Sequence, residues 1–165
     1  MKPTFYVIDT SYLLEIAACG RDSQPHSSKA VRARLKVARA SGGRFYVPLP
    51  CLFELGDHIA DVVNGGRRAE LAKWLIDTVD HCLRDQNPWH ITPTAAPNDV
   101  LPPLLAKFAE YSVKNNAGLV DTFAAMEAER LKIDFENLKA IVHIWTNDRS
   151  LKALEPDAES NPLLW

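Results

Sequence analysis

The sequence is poor in several features that mark large classes of protein. Its 165 residues contain three cysteines, Cys19, Cys51 and Cys82, whose wide spacing and odd number give neither a zinc site nor a disulfide framework. Such cysteine usage favours a reducing, cytoplasmic location. No apolar run approaches the roughly 20 residues that a membrane-spanning helix needs, and the first apolar run ends at Asp9, too early for a signal peptide. We therefore expect no membrane partner.

An excess of charge of one sign is also missing. The formal net charge is −2, so no strong overall field indicates nucleic acid or a membrane as the partner. With 47% hydrophobic and 24% charged residues, the composition is that of an ordinary globular protein. A chain of this length fits one domain that buries about 70% of its unfolded surface. We expect this domain over residues 1–155 and a C-terminal tail with little pattern over 156–165.

Short apolar strands alternate with amphipathic helices along the chain. We predict strands at 5–8, 44–47, 89–92 and 140–145, and helices at 11–18, 29–40, 50–63, 67–84, 104–113, 120–131 and 149–154. Residues 20–28 and 93–98 are predicted to be loops. Apolar strands joined by helices favour a parallel sheet that is covered on both faces. The prediction is an α/β fold of three layers, α/β/α, around a central parallel sheet of four to five short strands.

Acidic residues stand at the starts of four predicted helices. Asp9 follows the first strand, Glu54 lies in the first turn of the helix after the second strand, and Asp148 follows the last strand. Asp121 opens a further helix in GLVDTFAAMEAERL. Because ligands of open parallel sheets bind outside the carboxyl ends of the strands, the first three acids should meet at one edge. Asp121 joins them if its helix starts at the same end.

Each acid has a structural explanation when taken singly, since Asp is a favoured N-cap and an acid in a first turn gains from the helix dipole. Four converging acids, however, repel one another and raise each other's pKa, which proteins rarely tolerate without a cation. Mg²⁺ and Mn²⁺ prefer oxygen ligands, so we predict a divalent metal site in which Asp9 and Asp148 are the favoured direct ligands. Ser11 and Thr146 are placed to orient these acids.

Three further polar residues follow Glu54 within two turns of its predicted helix. His58 comes one turn later and is a candidate to face the same site. Asp57 and Asp61 are expected to form a polar face of the helix rather than to supply additional ligands.

These stretches resemble a known family, the PIN-domain ribonucleases, and most closely the VapC-type toxins of toxin–antitoxin pairs. The matching stretches VIDTSYLLEI, PLPCLFELGDHI, GLVDTFAAMEAERL and WTNDRSL occur in the family's order and span residues 7–151. The family's four acids fall on Asp9, Glu54, Asp121 and Asp148. Its small polar residue after the first acid falls on Ser11, and its threonine before the last acid falls on Thr146.

The resemblance implies a metal-dependent endoribonuclease whose catalytic residues and metal ligands are the same four acids. They would hold one or two Mg²⁺ or Mn²⁺ ions, which bind a phosphate oxygen and lower the pKa of an attacking water. Glu54 and Asp121 are direct ligands, bind through water or assist proton transfer. The resemblance also implies a cytoplasmic homodimer that is held inactive by a small antitoxin, whose basic side chain enters the acidic pocket.

A run of basic residues between Lys29 and Arg44 contains no acid, and Arg67 and Arg68 follow later. Such a run can contact RNA phosphates, although a solvated helix face is its more common role. The candidate RNA contacts are Arg32, Lys36, Arg39, Arg67 and Arg68.

Two other functions stay open from the residues alone. One is a non-catalytic binding module with the same fold, in which the acidic pocket binds metal weakly or only within an assembly. The other is a nuclease that acts on DNA, because a metal site contacts the phosphate and not the 2′-hydroxyl group. The resemblance alone favours RNA.

Overall fold

The computed structural model describes residues 2–19, 25–93 and 95–165. In these ranges the strands are β1 (Thr4–Ile8), β2 (Arg44–Pro48), β3 (His90–Thr92) and β4 (Ile141–Trp145). The α-helices are α1 (Thr10–Ala17), α2 (Pro25–Ala40), α3 (Leu49–Ala60), α4 (Gly65–Asp85), α5 (Pro97–Asn115), α6 (Leu119–Asp134) and α7 (Arg149–Lys152), with a 3₁₀ helix at Glu136–Leu138. No helix in these ranges has both the length and the apolar character required to cross a membrane.

The strands form one parallel sheet in the order β3-β2-β1-β4. Val7 of β1 is in register with Tyr46 of β2 on one side and with Ile144 of β4 on the other. The chain therefore runs outward from β1 through β2 to β3 and then returns to the opposite side of β1. This reversal creates a switch point between β1 and β4, the place where open parallel sheets bind ligands.

The two faces of the sheet carry separate apolar cores, which confirms the predicted α/β fold with helices on both sides of a parallel sheet. Ile8 of β1 packs with side chains of α1 to α4, including Leu13 and Leu55. Val7, one residue earlier, points to the other face and packs with side chains of α5 and α6, including Ala124. The two cores follow from the alternation of side chains along a strand.

The structure corrects two predictions for segments that contain proline. Helix α2 begins at Pro25, so the predicted loop is wrong for residues 25–28, while its residues 20–24 lie outside the described ranges. Helix α5 begins at Pro97 and not at residue 104. Both prolines occupy first helical positions, where no backbone N–H is needed and the fixed φ suits a helix. Pro102 and Pro103 lie inside α5 with exposed rings, so they remove helical hydrogen bonds without ending the helix.

The segment after α7 covers the outer edge of β4 with charged side chains. The backbone N–H groups of Val142 and Ile144 donate to carboxylates of Asp157 and Glu155, at 2.8 and 3.0 Å. The carbonyl of Ile144 accepts from Lys152 Nζ at 2.8 Å. The polar groups that an edge strand leaves unpaired are therefore satisfied by this segment.

The far end of the chain packs on α1. Tyr12 Oη donates to the carbonyl of Leu163 at 2.7 Å, and the rings of Tyr12 and Trp165 lie 5.2 Å apart. Arg34 of α2 forms an ion pair with Glu159. Residues of the 156–165 tail are thus in contact with both the first helix and the last strand.

Glu155 gives the first testable prediction. Burial opposes ionisation of this carboxyl, but the nearby His143 ring and hydrogen bonds from Lys152 and two backbone N–H groups outweigh burial and lower its pKa from 4.5 to about 2. Glu155→Gln should therefore lower the free energy of unfolding at pH 7 by about 2 kcal/mol, the usual worth of hydrogen bonds to a charged group. Because the folded pKa is the lower one, this difference should be present above pH 4.5 and shrink as the pH falls towards 2.

Urea unfolding at pH 7, 4 and 2.5 measures this difference. Glu136→Gln, at an exposed position, is the control and should change little at any pH. An undiminished effect of Glu155→Gln at pH 2.5 would contradict the assignment of the stabilisation to the ionised carboxylate.

Candidate functional site

The acids predicted to meet do line one groove. The groove has a volume of about 410 Å³ and lies where β1 and β4 end. Its lining residues are Asp9, Thr10, Ser11, Leu14, Glu54, Asp57, His58, Asp61, Asp121 and Asp148. The placement of Asp57, His58 and Asp61 in the lining makes this a broad acidic groove, not four acids alone.

Asp9 lies at the bottom of the groove, at the junction of β1 and α1. It is the N-cap of α1, and its Oδ2 accepts hydrogen bonds from Ser11 Oγ at 2.8 Å and Thr146 Oγ1 at 2.9 Å. The residue is only 6% exposed. Burial raises the pKa of Asp9, and the hydrogen bonds from Ser11 and Thr146 offset that rise only in part.

Ser11 and Thr146 also join the ends of two neighbouring strands, β1 and β4. Ser11 Oγ accepts from the backbone N–H of Asn147, and Thr146 Oγ1 accepts from that of Asp148, both at 2.9 Å. Each hydroxyl therefore donates to Asp9 and accepts from the loop after β4. This geometry is the orienting arrangement that the sequence predicted for the two residues.

Asp148 begins α7 as its N-cap. Its Oδ1 accepts from the backbone N–H groups of Ser150 and Leu151, at 2.6 and 3.1 Å. The side chain is exposed and faces the groove. The capping explanation of this acid therefore holds, and it uses one carboxylate oxygen.

Glu54 is the sixth residue of α3, which starts at Leu49, so it lies in the second turn of the helix and not in the first as predicted. Thr10 Oγ1 donates to Glu54 Oε2 at 2.6 Å and lies 3.5 Å from the carbonyl of Cys51. The sequence analysis assigned no role to Thr10. Its place between Asp9 and Ser11, in a hydroxyl pair after a buried strand, was the available signal.

Asp121 is in the first turn of α6, which starts at the same edge of the sheet. Its Oδ2 accepts from the backbone N–H of Gly118 at 2.8 Å, and a Cβ atom at position 118 would come within 3.2 Å of the same oxygen. Burial raises the pKa of Asp121, the Gly118 N–H lowers it, and the charges of Asp9 and Asp148 raise it. The predicted mutual repulsion is confirmed for this acid.

The groove is lined by several carboxylates, so it concentrates negative charge. Within the described ranges, no Lys or Arg forms an ion pair with any of the four predicted acids. The field reaches the buried thiol of Cys51, whose pKa is raised by burial first and then by the charges of Asp9 and Glu54. A cation would relieve this field.

The donor chemistry fits Mg²⁺ or Mn²⁺, although the side chains are not gathered as a closed coordination sphere. Among residues 2–19, 25–93 and 95–165, no three His, Cys, Asp or Glu side chains lie close enough together to hold a metal ion. The caps described above use Oδ2 of Asp9 and Asp121 and Oδ1 of Asp148. Hard cations take oxygen ligands, and carboxylates bind them through one oxygen or two.

Two of the candidate RNA contacts form hydrogen bonds at the carboxyl end of α1, the end opposite to Asp9. Arg32 donates to the carbonyl of Ile16 through Nη2 at 2.8 Å, and Arg67 Nη2 donates to those of Ala17 and Ala18 at 3.3 and 3.2 Å. These carbonyls are the ones that a helix leaves unpaired at its carboxyl end. An eight-residue helix is about 12 Å long, so both guanidinium groups lie well away from Asp9.

The other three candidates lie on α2 and at the start of α4. The Arg39 guanidinium is 5.8 Å from the centre of the Phe45 ring, and Arg68 donates to the carbonyl of Val62 at 3.2 Å. Lys36 is exposed. An RNA role for these residues stays a prediction.

No protein-family model matches the sequence, and a comparison with curated proteins gives no significant match. The resemblance to PIN-domain ribonucleases therefore rests on the residues in their order along the chain.

Asp9 gives the second prediction. At pH 7 with a chelator, Asp9→Asn should raise the free energy of unfolding, because Asn keeps the N-cap and removes a buried charge. The folded pKa of Asp9 lies above 3.8, so the fold binds this proton more tightly than the unfolded chain. The advantage of the variant should accordingly be largest above the folded pKa of Asp9, fade as the pH falls from that pKa towards 3.8, and be absent below 3.8.

Thermal unfolding from pH 3 to 8 tests this expectation. Asp57→Asn makes the same replacement of a carboxylate by an amide at an exposed acid of the same groove, and it should leave the melting temperature nearly unchanged. If Asp9→Asn melts at a lower temperature than the wild type at pH 7, the ionised carboxylate stabilises the fold and the prediction is wrong.

Proposed function

We propose that this protein is a divalent-metal-dependent endoribonuclease of the PIN type, which hydrolyses phosphodiester bonds in RNA. One observation carries the proposal: four acids that are far apart in the sequence line one groove at the switch point of the sheet, and no Lys or Arg of the described residues forms an ion pair with them. Uncompensated acids at such a place are what a metal-dependent phosphodiesterase requires.

The four acids differ in the strands that they follow and in the hydroxyl groups that orient them. Asp9 and Asp148 follow adjacent strands and would be the first ligands of Mg²⁺ or Mn²⁺, with Glu54 and Asp121 completing the site. When bound, the ion would polarise a phosphate oxygen and lower the pKa of a bound water. The chain itself orients the ligands, since Ser11 and Thr146 fix Asp9 and Thr10 fixes Glu54.

The biological setting follows from the resemblance. We propose that the protein is a toxin that forms a homodimer and is inhibited by a small antitoxin, which places a basic side chain in the acidic groove. The exposed apolar side chains of α3 and α4, with Phe53, Ile76 and Leu83 65%, 67% and 71% exposed, are the candidate contacts for such a partner.

A binding module without catalysis is the second candidate. The observation that favours it is the absence, among the described residues, of three metal-binding side chains close enough to hold an ion. Divalent ions would then raise the melting temperature little at millimolar concentration, whereas a bound ion stabilises the fold by about 2.7 kcal/mol at 100 times its dissociation constant.

The third prediction concerns cleavage. With Mg²⁺ or Mn²⁺ the purified chain should cut single-stranded or structured RNA, and a chelator should stop the reaction. Asp9→Asn and Asp148→Asn should each reduce the rate by about two to three orders of magnitude or more, because each removes a negative oxygen ligand. Gel analysis of labelled RNA, with the matching DNA beside it, measures the rate and the nucleic acid preference.

Asp57→Asn is the control for cleavage, because it changes an acid of the same groove outside the predicted ligand set. Cleavage by Asp9→Asn at the wild-type rate would contradict the proposal. A folded wild type that cuts no RNA or DNA and gains no stability from Mg²⁺ or Mn²⁺ would favour the binding module.

The fourth prediction concerns the basic run on α2. Each phosphate contact contributes about 0.7 to the slope of log affinity against log salt for a single strand. If Arg32, Lys36 and Arg39 each contact a phosphate, replacing all three with Gln should therefore make that slope shallower by about 2. The measurement is RNA binding with a chelator at several salt concentrations.

A triple variant of exposed lysines outside α2, Lys2→Gln, Lys114→Gln and Lys139→Gln, removes the same charge and should leave the slope unchanged. Equal slopes for the two triple variants would assign the α2 residues to a solvated helix face.

A further inference from the structure

Asn147 lies in the loop between β4 and α7, next to two residues of the acidic groove. Thr146 before it donates a hydrogen bond to Asp9, and Asp148 after it lines the groove. The side chain of Asn147 is half-buried and is not part of the groove lining. Any effect of Asn147 on the groove therefore acts through its neighbours.

The backbone of Asn147 sets the direction in which Ser11 donates. The Asn147 N–H donates to Ser11 Oγ at 2.9 Å, and Ser11 Oγ donates to Asp9 Oδ2 at 2.8 Å. A hydroxyl group has one proton to donate and can accept as well. Because Ser11 Oγ accepts from the Asn147 N–H, its own proton is directed to Asp9. The position of the loop therefore affects how the buried acid is held.

The side chain of Asn147 connects this loop to the tail. Asn147 Oδ1 accepts from the backbone N–H of Trp165 at 2.7 Å. Together with the two contacts of Ser11, this hydrogen bond makes a continuous path from the tail to Asp9, in which each donor lies 2.9 Å or less from its acceptor. The tail and the buried acid are thus joined through a single residue of the loop.

The tail is itself anchored on both sides of the Trp165 donor group. Tyr12 Oη donates to the carbonyl of Leu163 at 2.7 Å, and Arg34 Nη1 donates to the carbonyl of Asn161 at 2.9 Å. The Leu163 side chain packs against the apolar core, and the Trp165 ring lies 5.2 Å from the Tyr12 ring. The N–H that Asn147 accepts is therefore presented by a fixed segment.

We propose that Asn147 is a positioning residue of the acidic groove, which uses the anchored tail to hold the loop of Asp148 against Ser11. The inference rests on the proposed function and adds to it a residue that acts through its neighbours. Asp9 is held by burial, whereas Asp148 is exposed, so the loop contact is what fixes the second acid. A displacement of about 1 Å can cost about a hundredfold in rate at a reacting site.

The first test measures backbone amide hydrogen exchange by NMR, on the full chain with a chelator. Asn147→Leu keeps the shape of the side chain and removes the acceptor, whereas Asn147→Asp keeps an acceptor oxygen. The N–H groups at positions 147 and 148 should exchange about tenfold faster with Asn147→Leu, the effect of one lost hydrogen bond on local opening. With Asn147→Asp they should exchange at the wild-type rate.

The N–H groups of Val142 and Ile144 are the internal control, because they donate to Asp157 and Glu155 at the covered edge of β4. They should exchange at the wild-type rate in both variants. Faster exchange at these two groups as well would indicate a general loss of stability and would overturn the positioning role.

A second pair of variants tests the same hydrogen bond from the donor side. Trp165→Pro and Trp165→Ala both remove the ring, but only the proline also removes the backbone N–H. The N–H groups at positions 147 and 148 should therefore exchange about tenfold faster with Trp165→Pro than with Trp165→Ala. Equal exchange within both pairs of variants would overturn the proposal.

Cleavage kinetics with Mg²⁺ or Mn²⁺ provide the functional test. Asn147→Leu should lower kcat about tenfold and leave KM unchanged, because the acids move while the rest of the RNA contact stays. Asn147→Asp should restore kcat towards the wild-type value. An unchanged kcat for Asn147→Leu in an active enzyme would overturn the positioning role.

Failure of this proposal and failure of the nuclease are distinguishable. If the wild type cuts no RNA, the proposed function fails. Faster exchange confined to positions 147 and 148 in Asn147→Leu and Trp165→Pro would then still support the positioning of Asp148 by Asn147. RNA cleavage by a wild type whose variants all share its exchange rates and its kcat would overturn the positioning role and leave the nuclease.

Discussion

The buried carboxylate of Asp9 is held by hydroxyl groups from the loops after two neighbouring strands, and the site depends on that arrangement. Ser11 reaches it from the start of α1, and Thr146 reaches it from the end of β4. The same hydroxyls accept hydrogen bonds from backbone N–H groups of the loop that carries Asp148. The separation between the first and last acids of the groove is consequently fixed by the parallel pairing of β1 with β4, and a shift of that register would separate them.

This arrangement concentrates charge where the fold would be more stable without it. Burial raises the pKa values of Asp9, Asp121 and the Cys51 thiol, and the charge of Asp9 raises the latter two further. Neutral donors moderate the effect, but no basic side chain of the described ranges pairs with the acids. Functional sites commonly retain such destabilising features, because the chemistry uses them.

The sequence was sufficient for the fold class and for the convergence of the acids, because strand periodicity and the edge rule for parallel sheets are local and topological. It was misleading at Pro97, where proline begins a helix and the pattern had indicated a loop. The start of the helix after β2 was predicted within one residue, and counting 3.6 residues per turn from Leu49 puts Glu54 in the second turn rather than the first. The hydrogen bond of Thr10 to Glu54 joins residues far apart in the chain, and no local pattern contains that information.

The covering of β4 restricts how copies of this chain can associate. An edge strand with free N–H and C=O groups is a template on which another strand can add, and it is a common starting point for aggregation. Here carboxylates of Glu155 and Asp157 and the amine of Lys152 occupy that template in the described structure. The opposite edge is β3, which is only three residues long. Continuous sheets across two molecules are therefore disfavoured at both edges, which directs self-association towards helix surfaces.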